Sequence, residues 1–311
     1  MLCKHLNGDS SCWHPRCRPP SHTPIVPILT LHGILRLMEH RLRVVTWNCR
    51  RASTKSSAWD YLLELDPDVA LLQDFGPIPD RVTDGYSCAF STAPAAAGRS
   101  IRHFTGVLVK GDVTKDILLP APTDWVAREL DNYKEFFCAR EVVLSTGVPL
   151  NVMSVYSPAI PIDKKRLQGI DTTGIKLTHS RDLWATELMW ATLGSMNISE
   201  INPFIVAGDL NSSETFDYLW SGGPRGNLEI MERMNALGFT ECLRSFQGKL
   251  TPTFRTPRGG MIIHQLDHIY VTSTLLQKLT HCDTGSIDRV FGPSPMLSDH
   301  LPIVADFISQ N

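Results

Sequence analysis

The sequence predicts an α/β fold, and two kinds of pattern along the chain lead to this prediction. Short apolar runs of strand length recur, and segments whose apolar residues are spaced as in a helix lie between several of them. Several of the apolar runs end in an acid or an amide, and open sheets usually place their chemistry at such strand ends. The chain has 311 residues, of which 42% are hydrophobic and 20% are charged, which is typical of a globular protein with a sizeable core.

The first regular unit is a strand, a helix and a second strand. Leu42 to Asn48 is an apolar run of strand length. Ser57 to Leu65 has apolar residues at helical spacing, and Asp66-Pro67 closes this helix because a residue before proline disfavours the helical conformation. Asp68 to Gln73 is apolar on both faces, which predicts a fully buried strand.

The chain then continues with further strands and helices. Phe136 to Ser145 and Leu150 to Tyr156 are strands joined by the turn residues Thr146-Gly147, which predicts an antiparallel hairpin. The other predicted elements are strands at Gly106 to Lys110, from Phe204, at Leu266 to Thr272 and at Leu301 to Phe307, helices at Ser180 to Leu193 and Leu228 to Leu237, and a loop from Gly238 to Gly260.

Residues 1–40 differ from the rest and predict an irregular N-terminal extension before a domain at residues 41–311. The segment is rich in proline and small polar residues and has no sustained period. It also contains the residue types that bind zinc, at Cys3, His5, Cys12, His14 and Cys17. Their spacings do not reproduce the paired ligands of standard zinc modules, so an irregular extension is the favoured interpretation.

Charge and cysteine content narrow the class of protein. A net charge of −2 gives no overall attraction for nucleic acid, so any polyanion must be held by a local basic face or by a bound metal. Eight cysteines in a chain of this length do not form a disulfide scaffold, and free thiols are expected. Ile25 to Met38 is apolar but is interrupted by Pro27 and His32. We therefore expect a cytoplasmic monomer without a membrane span.

The polar residues at the strand ends predict one convergent site. Phe204 to Asn211 is an apolar run broken by Gly208 and followed by Asp209 and Asn211. Other strands, widely separated in the chain, also lie next to polar residues, namely Asn48, Gln73-Asp74 and Ser298-Asp299-His300. Asp74 and Asn48 offer oxygen ligands for Mg²⁺ or Mn²⁺, and Asp299 is predicted to complete the metal site.

These motifs, in this order, resemble those of the endonuclease/exonuclease/phosphatase superfamily, which includes abasic-site endonucleases and DNase I-like enzymes. The matching pieces run between Leu42 and Phe307 and are Thr46-Trp47-Asn48, Leu71-Leu72-Gln73-Asp74, Ser154-Val155-Tyr156-Ser157-Pro158, Gly208-Asp209-Leu210-Asn211, Leu266-Asp267-His268-Ile269 and Ser298-Asp299-His300-Leu301-Pro302. The resemblance implies two face-to-face, mainly antiparallel β-sheets flanked by helices, a DNase I-like four-layer sandwich. It also implies metal-assisted hydrolysis of a phosphoester. One departure is Asp74, where the family usually has a glutamate that binds the metal.

Each site residue receives a predicted role. Asp209 is expected to orient or deprotonate water, and the amide of Asn211 to donate a hydrogen bond to the phosphate. His300 would act as a base or, when protonated, as a cation facing the phosphate. The resemblance implies that Asp267 orients His300 and raises its pKa, and that Tyr156 is a supporting donor near the scissile phosphate.

The predicted function is divalent-metal-dependent hydrolysis of phosphodiester bonds, by an endo- or exonuclease acting on DNA or RNA. Two alternatives stay open: a phosphatase or lipid phosphodiesterase on the same scaffold, and a catalytically silent member that binds a partner, which Asp74 suggests.

Specificity is expected from the loops at 91–104, 159–179 and 212–227. Within the second loop, Lys164-Lys165-Arg166 is a candidate contact for a phosphate backbone, although such triplets are usually solvated. Gln73 has either a site role or a structural one, and His103, His264 and His268 are interpreted as ordinary loop or core residues.

Overall fold

A computed structural model describes residues 40–91, 103–198, 203–219, 224–257 and 260–309. The extension predicted for residues 1–40 lies outside the described residues, except for His40, which begins the first strand. Most of the predicted loop 91–104 and residues 220–223 of the loop 212–227 also lie outside them.

The eight predicted strands are all present among the described residues, together with six strands that the sequence did not predict. The strands are β1 (His40–Ala52), β2 (Val69–Phe75), β3 (Ser87–Ser91), β4 (Phe104–Val109), β5 (Gly111–Asp116), β6 (Phe137–Leu144), β7 (Pro149–Tyr156), β8 (Phe204–Asp209), β9 (Phe239–Glu241), β10 (Phe254–Arg255), β11 (Ile262–His264), β12 (Asp267–Thr272), β13 (Leu279–Thr284) and β14 (Ile303–Ser309).

Helices connect many of these strands. They are α1 (Ala58–Leu65), α2 (Asp80–Thr83), α3 (Asp124–Asn132), α4 (Ala185–Gly194), α5 (Thr215–Tyr218), α6 (Asn227–Ala236), α7 (Cys242–Gln247), α8 (Ser273–Leu276) and α9 (Ile287–Phe291), with a 3-10 helix at Lys134–Phe136. Among the described residues, no helix has the length and apolar character that crossing a bilayer requires.

The strands form two six-stranded sheets and a two-stranded ribbon. The first sheet has the order β13-β14-β1-β2-β4-β3, and its strand pairs are antiparallel except for β1 and β2. The second sheet has the order β5-β6-β7-β8-β12-β9, and only β7 and β8 are parallel. The prediction of two mainly antiparallel sheets is therefore confirmed.

Alternation of side chains along the central strands produces the layers. In β1, Val44 packs in the core between the two sheets, whereas Val45 and Trp47 pack on the outer face beside α1. In β8, Ile205 faces the same central core and Val206 packs with α3 and α4 on the other outer face. Because both faces of these strands are covered, their sequences are continuous apolar runs rather than alternating ones.

Two predictions about the elements are wrong. The helix predicted at Ser180 to Leu193 begins only at Ala185, because Trp184 has an extended conformation and the N–H of Trp184 donates to the Glu187 side chain. The loop predicted from Gly238 to Gly260 contains β9, α7 and β10. These elements are too short for hydrophobic periodicity to reveal them.

The described cysteines are all free thiols, as expected. They are Cys49, Cys88, Cys138, Cys242 and Cys282. Burial raises the pKa of the Cys49 thiol, and the charge of Asp74 adds to this effect. A thiolate nucleophile at Cys49 is therefore disfavoured.

Candidate active site

Both sheets contribute side chains to one site at a shared end of the sandwich. In the first sheet, Asn48 lies near the end of β1 and Asp74 near the end of its parallel neighbour β2. In the second sheet, the register pairs Asp209 of β8 with both Tyr156 of β7 and Asp267 of β12. Because the two parallel pairs end at this edge, predicted residues that are far apart in the chain lie together.

Asp209 is the centre of this arrangement. Its Oδ2 accepts a hydrogen bond of 2.9 Å from Nδ2 of Asn48, which reaches across from the other sheet. Its Oδ1 accepts the backbone N–H of Asn211 at 2.9 Å, and Nδ2 of Asn211 lies 3.2 Å from Oδ2. Nε2 of His300 lies 3.8 Å from the same Oδ2.

Burial has the largest effect on the pKa of Asp209. The carboxylate is 1% exposed, and its desolvation raises the pKa to about 7, although the charge of His300 opposes this rise. The hydrogen bonds from Asn211 and Asn48 also favour the charged form. The carboxylate at the centre of the site therefore binds a proton more readily than an exposed aspartate does.

His300 is held by Asp267, and Asp267 is held by Thr253. Nδ1 of His300 lies 2.9 Å from Oδ2 of Asp267, and the hydroxyl of Thr253 donates to the same oxygen at 2.7 Å. The Thr253 hydroxyl also accepts the backbone N–H groups of Leu266 and Asp267. Burial lowers the pKa of His300, but the charges of Asp267 and Asp209 outweigh it and raise the pKa to about 9. Thr253 was not identified from the sequence, because nothing in its loop marks it as functional.

At Asp74 the pairing of β2 is interrupted by a bulge towards both neighbouring strands, β1 and β4. On the β1 side, pairing stops at Asn48 and resumes at Ala52, so residues 49–51 all lie opposite Asp74. On the β4 side the register shifts between the pairs that flank Asp74. Asp74 itself has a φ of 48°, in the left-handed region. Bulges of this kind redirect side chains, and they are common next to active sites.

Basic groups surround the carboxylates of Asp74 and Asp299. Nε of Arg51 lies 4.0 Å and Nδ1 of His103 lies 3.6 Å from oxygens of Asp74. Nε of Arg50 lies 3.6 Å from Oδ2 of Asp299. Burial raises the pKa of Asp74 to about 6, Arg51 opposes this and the charge of Asp299 adds to it. His103 lies in the loop before β4, as expected, and its ring lies against Asp74, a predicted metal ligand.

Asn211 and Tyr156 lie beside this centre. Asn211 has a φ of 46°, and its side chain also donates to the carbonyl of Ser157 at 2.8 Å. Burial raises the pKa of Tyr156, and the charges of Asp209 and Asp74 raise it further. The Tyr156 phenol is therefore protonated at neutral pH and can donate a hydrogen bond.

Gly208 permits the close approach of β7 and β8. Its φ is 153°, and a Cβ atom placed on it would lie 1.8 Å from the carbonyl oxygen of Val155. Any side chain at this position would therefore displace the strand that carries Tyr156 from the strand that carries Asp209. The glycine of the Gly-Asp-Leu-Asn motif is required by this backbone contact.

Gln73 and the basic triplet at residues 164–166, whose roles the sequence left open, both make specific contacts. Gln73 is fully buried, and its Nε2 donates to Ser154 of the other sheet and to the carbonyl of Leu71 at 2.9 Å each. Within the basic triplet, Lys164 pairs with Asp182 at 2.7 Å and Arg166 pairs with Glu129 at 2.9 Å. Gln73 thus bridges the sheets, and two of the three cations in the triplet are already neutralised by the fold.

A cavity of about 650 Å³ opens next to the site, and Ser157 and Asn211 form part of its wall. Aromatic side chains from Trp184 and Phe216 and a basic side chain from Arg181 also line it. The cavity lies between the segment that follows β7 and the segment that follows β8, which are the chain regions predicted to set specificity.

Among the described residues, Asp209, Asp267 and His300 form a group whose ligand atoms lie within 4.8 Å of one another. Because Nδ1 of His300 already lies at hydrogen-bonding distance from Asp267, the imidazole occupies the space between the two acids. Asp74, Asp299 and Asn48, the predicted metal ligands, offer the oxygen atoms that Mg²⁺ and Mn²⁺ prefer.

Comparison with known proteins identifies a family. The model of the Endonuclease/Exonuclease/phosphatase family matches residues 45–300, which includes every strand end of the site. A comparison with curated protein sequences gives no match.

Solved structures with the same fold include several DNA-processing enzymes. An AP endonuclease from Archaeoglobus fulgidus has a TM-score of 0.58 at 18% identity, covering 86% of this chain and 99% of that one. An AP endonuclease from Leishmania major has a TM-score of 0.59 at 18% identity, covering 86% and 88%. A 3′ phosphatase from Neisseria, bound to a product DNA hairpin, has a TM-score of 0.58 at 17% identity, covering 86% and 99%. At these identities the likeness shows the fold alone, and it confirms the predicted DNase I-like sandwich.

Proposed function

Because the chain belongs to the endonuclease/exonuclease/phosphatase family, we propose that it is a divalent-metal-dependent phosphodiesterase that cleaves DNA or RNA as an endo- or exonuclease. The observation that carries this proposal is the position of Asp209. Its buried carboxylate is contacted by Asn48 and Asn211 and faces His300. An acid, two amides and an imidazole around one point are the groups that hydrolysis of a phosphodiester requires.

Asp209 would orient the attacking water and accept its proton. The carboxylate is fixed by hydrogen bonds from Asn48 and Asn211, so its position does not depend on the substrate. Asn211 could also turn its amide towards a phosphate oxygen as negative charge develops there. Tyr156, which is protonated and adjacent, would be a second hydrogen-bond donor to the same group.

His300 would act as a cation that faces the phosphate rather than as a base. Its ring lies between the carboxylates of Asp267 and Asp209, and two nearby anions favour the protonated imidazole. Asp267 is then a positioning residue, because it fixes the ring through Nδ1 and leaves Nε2 directed towards Asp209.

The residues that would hold the metal are Asp74, Asp299 and Asn48. The set fits a hard divalent cation because all three offer oxygen atoms and two of them carry negative charge. The backbone N–H of Arg50 donates to Oδ1 of Asn48 at 3.0 Å, and a carbonyl oxygen has a second lone pair for a cation. Bound there, Mg²⁺ or Mn²⁺ would neutralise charge on the phosphate and on the leaving oxygen.

The decisive experiment measures hydrolysis of a substrate panel with Mg²⁺, with Mn²⁺ and with EDTA. The panel contains plasmid DNA, single-stranded DNA, RNA, an abasic-site duplex, inositol phosphates and phospholipids. We expect cleavage of at least one nucleic acid with metal and none with EDTA. Asp209→Asn should lower the rate by at least about 100-fold, since it removes the group that accepts the proton.

A matched control for Asp209→Asn is Asp60→Asn, which neutralises an exposed acid of α1 that pairs with Arg81. This control should keep the wild-type rate, and both variants should show the circular dichroism spectrum of the wild type. Full activity of a folded Asp209→Asn protein would disprove the proposed mechanism. Binding of nucleic acid without hydrolysis under any metal condition would instead support the catalytically silent alternative.

A phosphatase or lipid phosphodiesterase activity is the second candidate, and the cavity beside Asn211 favours it. At about 650 Å³, with Trp184, Phe216 and Arg181 in its wall, the cavity has the size and mixed lining of a pocket for a compact organic group. The same substrate panel separates the two candidates. Trp184→Ala should raise KM for such a small phosphoester, and it should leave cleavage of nucleic acid unchanged if the cavity binds only small substrates.

A further inference from the structure

Two arginines that the proposed mechanism does not use lie at the bulge opposite Asp74. Arg50 and Arg51 have φ values of 45° and 61°, so both are in the left-handed region. For a residue other than glycine, that conformation is unfavourable. Two such residues in succession, next to Asn48, indicate that the fold holds this backbone shape for a purpose.

The bulge directs both side chains towards the same carboxylate cluster. In a regular strand, neighbouring side chains point to opposite faces of the sheet. Here Nε of Arg50 lies 3.6 Å from Oδ2 of Asp299, and Nε of Arg51 lies 4.0 Å from Oδ2 of Asp74. Both guanidinium groups therefore lie beside the acids that were assigned to the metal.

Neither ion pair is tight. Both separations exceed the length of a charged hydrogen bond, which is about 2.7–2.9 Å. The side chains of Arg50 and Arg51 are 48% and 71% exposed. Their partners Asp299 and Asp74 are more shielded, at 24% and 17%, so each pair holds its arginine in place while much of the guanidinium stays in solvent. A divalent cation with a higher charge can therefore displace the arginines from the two carboxylates.

We propose that Arg50 and Arg51 form a phosphate-binding site that is closed by Asp299 and Asp74 in the metal-free protein. When a divalent cation binds the two carboxylates, the arginines are released and bind phosphates of the nucleic acid strand on either side of the scissile one. The proposal rests on the proposed function for both the metal and the substrate. Guanidinium groups suit this task because their planar donors match phosphate oxygens in a bidentate manner.

The proposed site would explain how a protein without a positive net charge could hold a nucleic acid strand. A protein with a net charge of −2 has no general attraction for a polyanion, and Lys164 and Arg166 are already paired within the fold. Two arginines at the metal site would supply local positive charge where the phosphate must bind. Because metal binding releases them, strong attachment of the strand would occur only in the protein that is ready to cut it.

A double-mutant cycle in EDTA tests the proposal without metal and without catalysis. One pair of changes is Arg50→Asn with Arg51→Asn, because asparagine removes the charge yet tolerates a left-handed backbone. The other is Asp74→Asn with Asp299→Asn, which neutralises the carboxylates as a metal would. The affinity for a fluorescent single-stranded DNA oligonucleotide is measured by anisotropy for the wild type, both double variants and the quadruple variant.

We expect strong coupling between the two pairs of changes. With both aspartates present, loss of the arginines should weaken DNA binding by less than about twofold, because the arginines are already paired. With both aspartates neutralised, the same loss should weaken binding by about tenfold or more, and it should reduce the slope of log Kd against log salt by about 1.5, as expected for two lost phosphate contacts. The matched control is the cycle of Arg81→Asn and Asp60→Asn, an ion pair on the protein surface, which should show no coupling.

Equal effects of the arginine changes in both backgrounds would overturn the proposal. A second measurement does not depend on the aspartate variants: the Arg50→Asn, Arg51→Asn protein should bind Mn²⁺ about threefold to tenfold more tightly than the wild type by calorimetry, since the competing cations are gone. Unchanged Mn²⁺ affinity would also count against it.

If the wild type cleaves DNA and the cycle is additive, only this inference fails. If the wild type neither binds nor cleaves nucleic acid with Mg²⁺, the proposed function fails and this inference fails with it.

Discussion

At the scale of single residues, the backbone explains why an aspartate stands at position 74. Asp74 has a φ of 48°, and aspartate and asparagine tolerate this left-handed conformation better than longer side chains do. This conformation occurs where the pairing with both neighbouring strands is interrupted. The shorter acid, where the family usually has a glutamate, is thus suited to the local backbone, and it keeps the negative charge that a metal requires.

Replacement of this acid by a longer one tests the explanation. We predict that Asp74→Glu lowers the free energy of unfolding by about 1 kcal/mol, because glutamate lacks the tolerance for a left-handed φ. Asp74→Asn, which preserves that tolerance, should cost less than half as much. Urea unfolding of the three proteins provides the measurement. Equal stability of Asp74→Glu and the wild type would show that the backbone does not select the residue.

Thr253 is predicted to be a positioning residue for the His300–Asp267 pair. Thr253→Val removes a hydroxyl that donates to Asp267 at 2.7 Å and accepts two backbone N–H groups. We expect a loss of about 1–3 kcal/mol in stability and a fall in kcat of about tenfold with little change in KM. Thr253→Ser keeps the hydroxyl and should restore most of kcat. If serine and valine behave alike, the hydroxyl does not position Asp267.

Most of the site residues could be predicted from sequence because they end long apolar runs. Asn48 and Asp209 follow such runs, and strand ends at one edge meet wherever the register allows. Asp267 begins β12, and its role was predicted from the family resemblance. Arg50 and Arg51 could not be predicted, because hydrophobic periodicity assumes a regular strand and does not show a bulge. The predicted roles of the site residues stay predictions until the variants are measured.

At the scale of secondary structure elements, α6 begins at a cap supplied by another helix. Oδ1 of Asp217, in α5, accepts the backbone N–H groups of Arg225 at 2.6 Å and Asn227 at 3.2 Å. Its Oδ2 accepts the N–H of Leu228 at 2.8 Å. The side chain of Asn227 in turn accepts a hydrogen bond from Ser212, just after β8. The start of α6 is therefore tied to the segment that carries Asn211.

The stability that this cap contributes should depend on pH. Burial raises the pKa of Asp217, but the hydrogen bonds to its carboxylate outweigh burial and leave the pKa below its usual value. A lowered pKa means that the contribution is present above the pKa of the unfolded chain, about 3.9, and is lost as the pH falls through the folded value. Asp217→Asn should therefore cost about 1 kcal/mol at pH 7, and the difference from the wild type should shrink below about pH 4.

The measurement for this prediction is urea unfolding of both proteins across the pH range. A suitable control is Asp288→Asn, which changes an exposed acid in the first turn of α9. The control should show a smaller effect at pH 7. A constant difference between the wild type and Asp217→Asn at every pH would show that the charge of the cap is unimportant.

The beginning of α4 shows where element prediction from sequence fails. Apolar residues at helical spacing continue back to Leu183, but the carbonyl of Leu183 accepts the N–H of Ile162 from another segment. The buried side chain of Glu187 accepts the N–H groups of Leu177 and Trp184 and thereby sets the first turn. These partners are distant in the chain, so local spacing cannot reveal them.

At the scale of the whole molecule, the cores described above all lie within residues 40–309. The layer between the sheets and the two outer layers are built from the strands and helices of that range. The division into an irregular extension at residues 1–40 and a domain at residues 41–311 stays a prediction from composition.

We predict that a chain that begins at Met38 keeps the stability of the full chain. Its free energy of unfolding should change by less than about 0.5 kcal/mol, because β1, the first strand of the sandwich, remains complete. Urea unfolding of the two chains, followed by tryptophan fluorescence, provides the measurement. A loss of more than about 2 kcal/mol would show that the extension is an integral part of the folded domain.

The hydrogen bond from Asn48 to Asp209 joins the two six-stranded sheets, and His300, which precedes β14 of the first sheet, contacts Asp267 of the second. The geometry of the proposed active site therefore depends on the spacing between the two sheets. Any agent that thins or swells the central apolar layer, such as hydrostatic pressure or a hydrophobic solute, would alter turnover before it unfolds the protein. A change in hydrolysis rate under such conditions would show that the proposed site responds to the packing between the sheets.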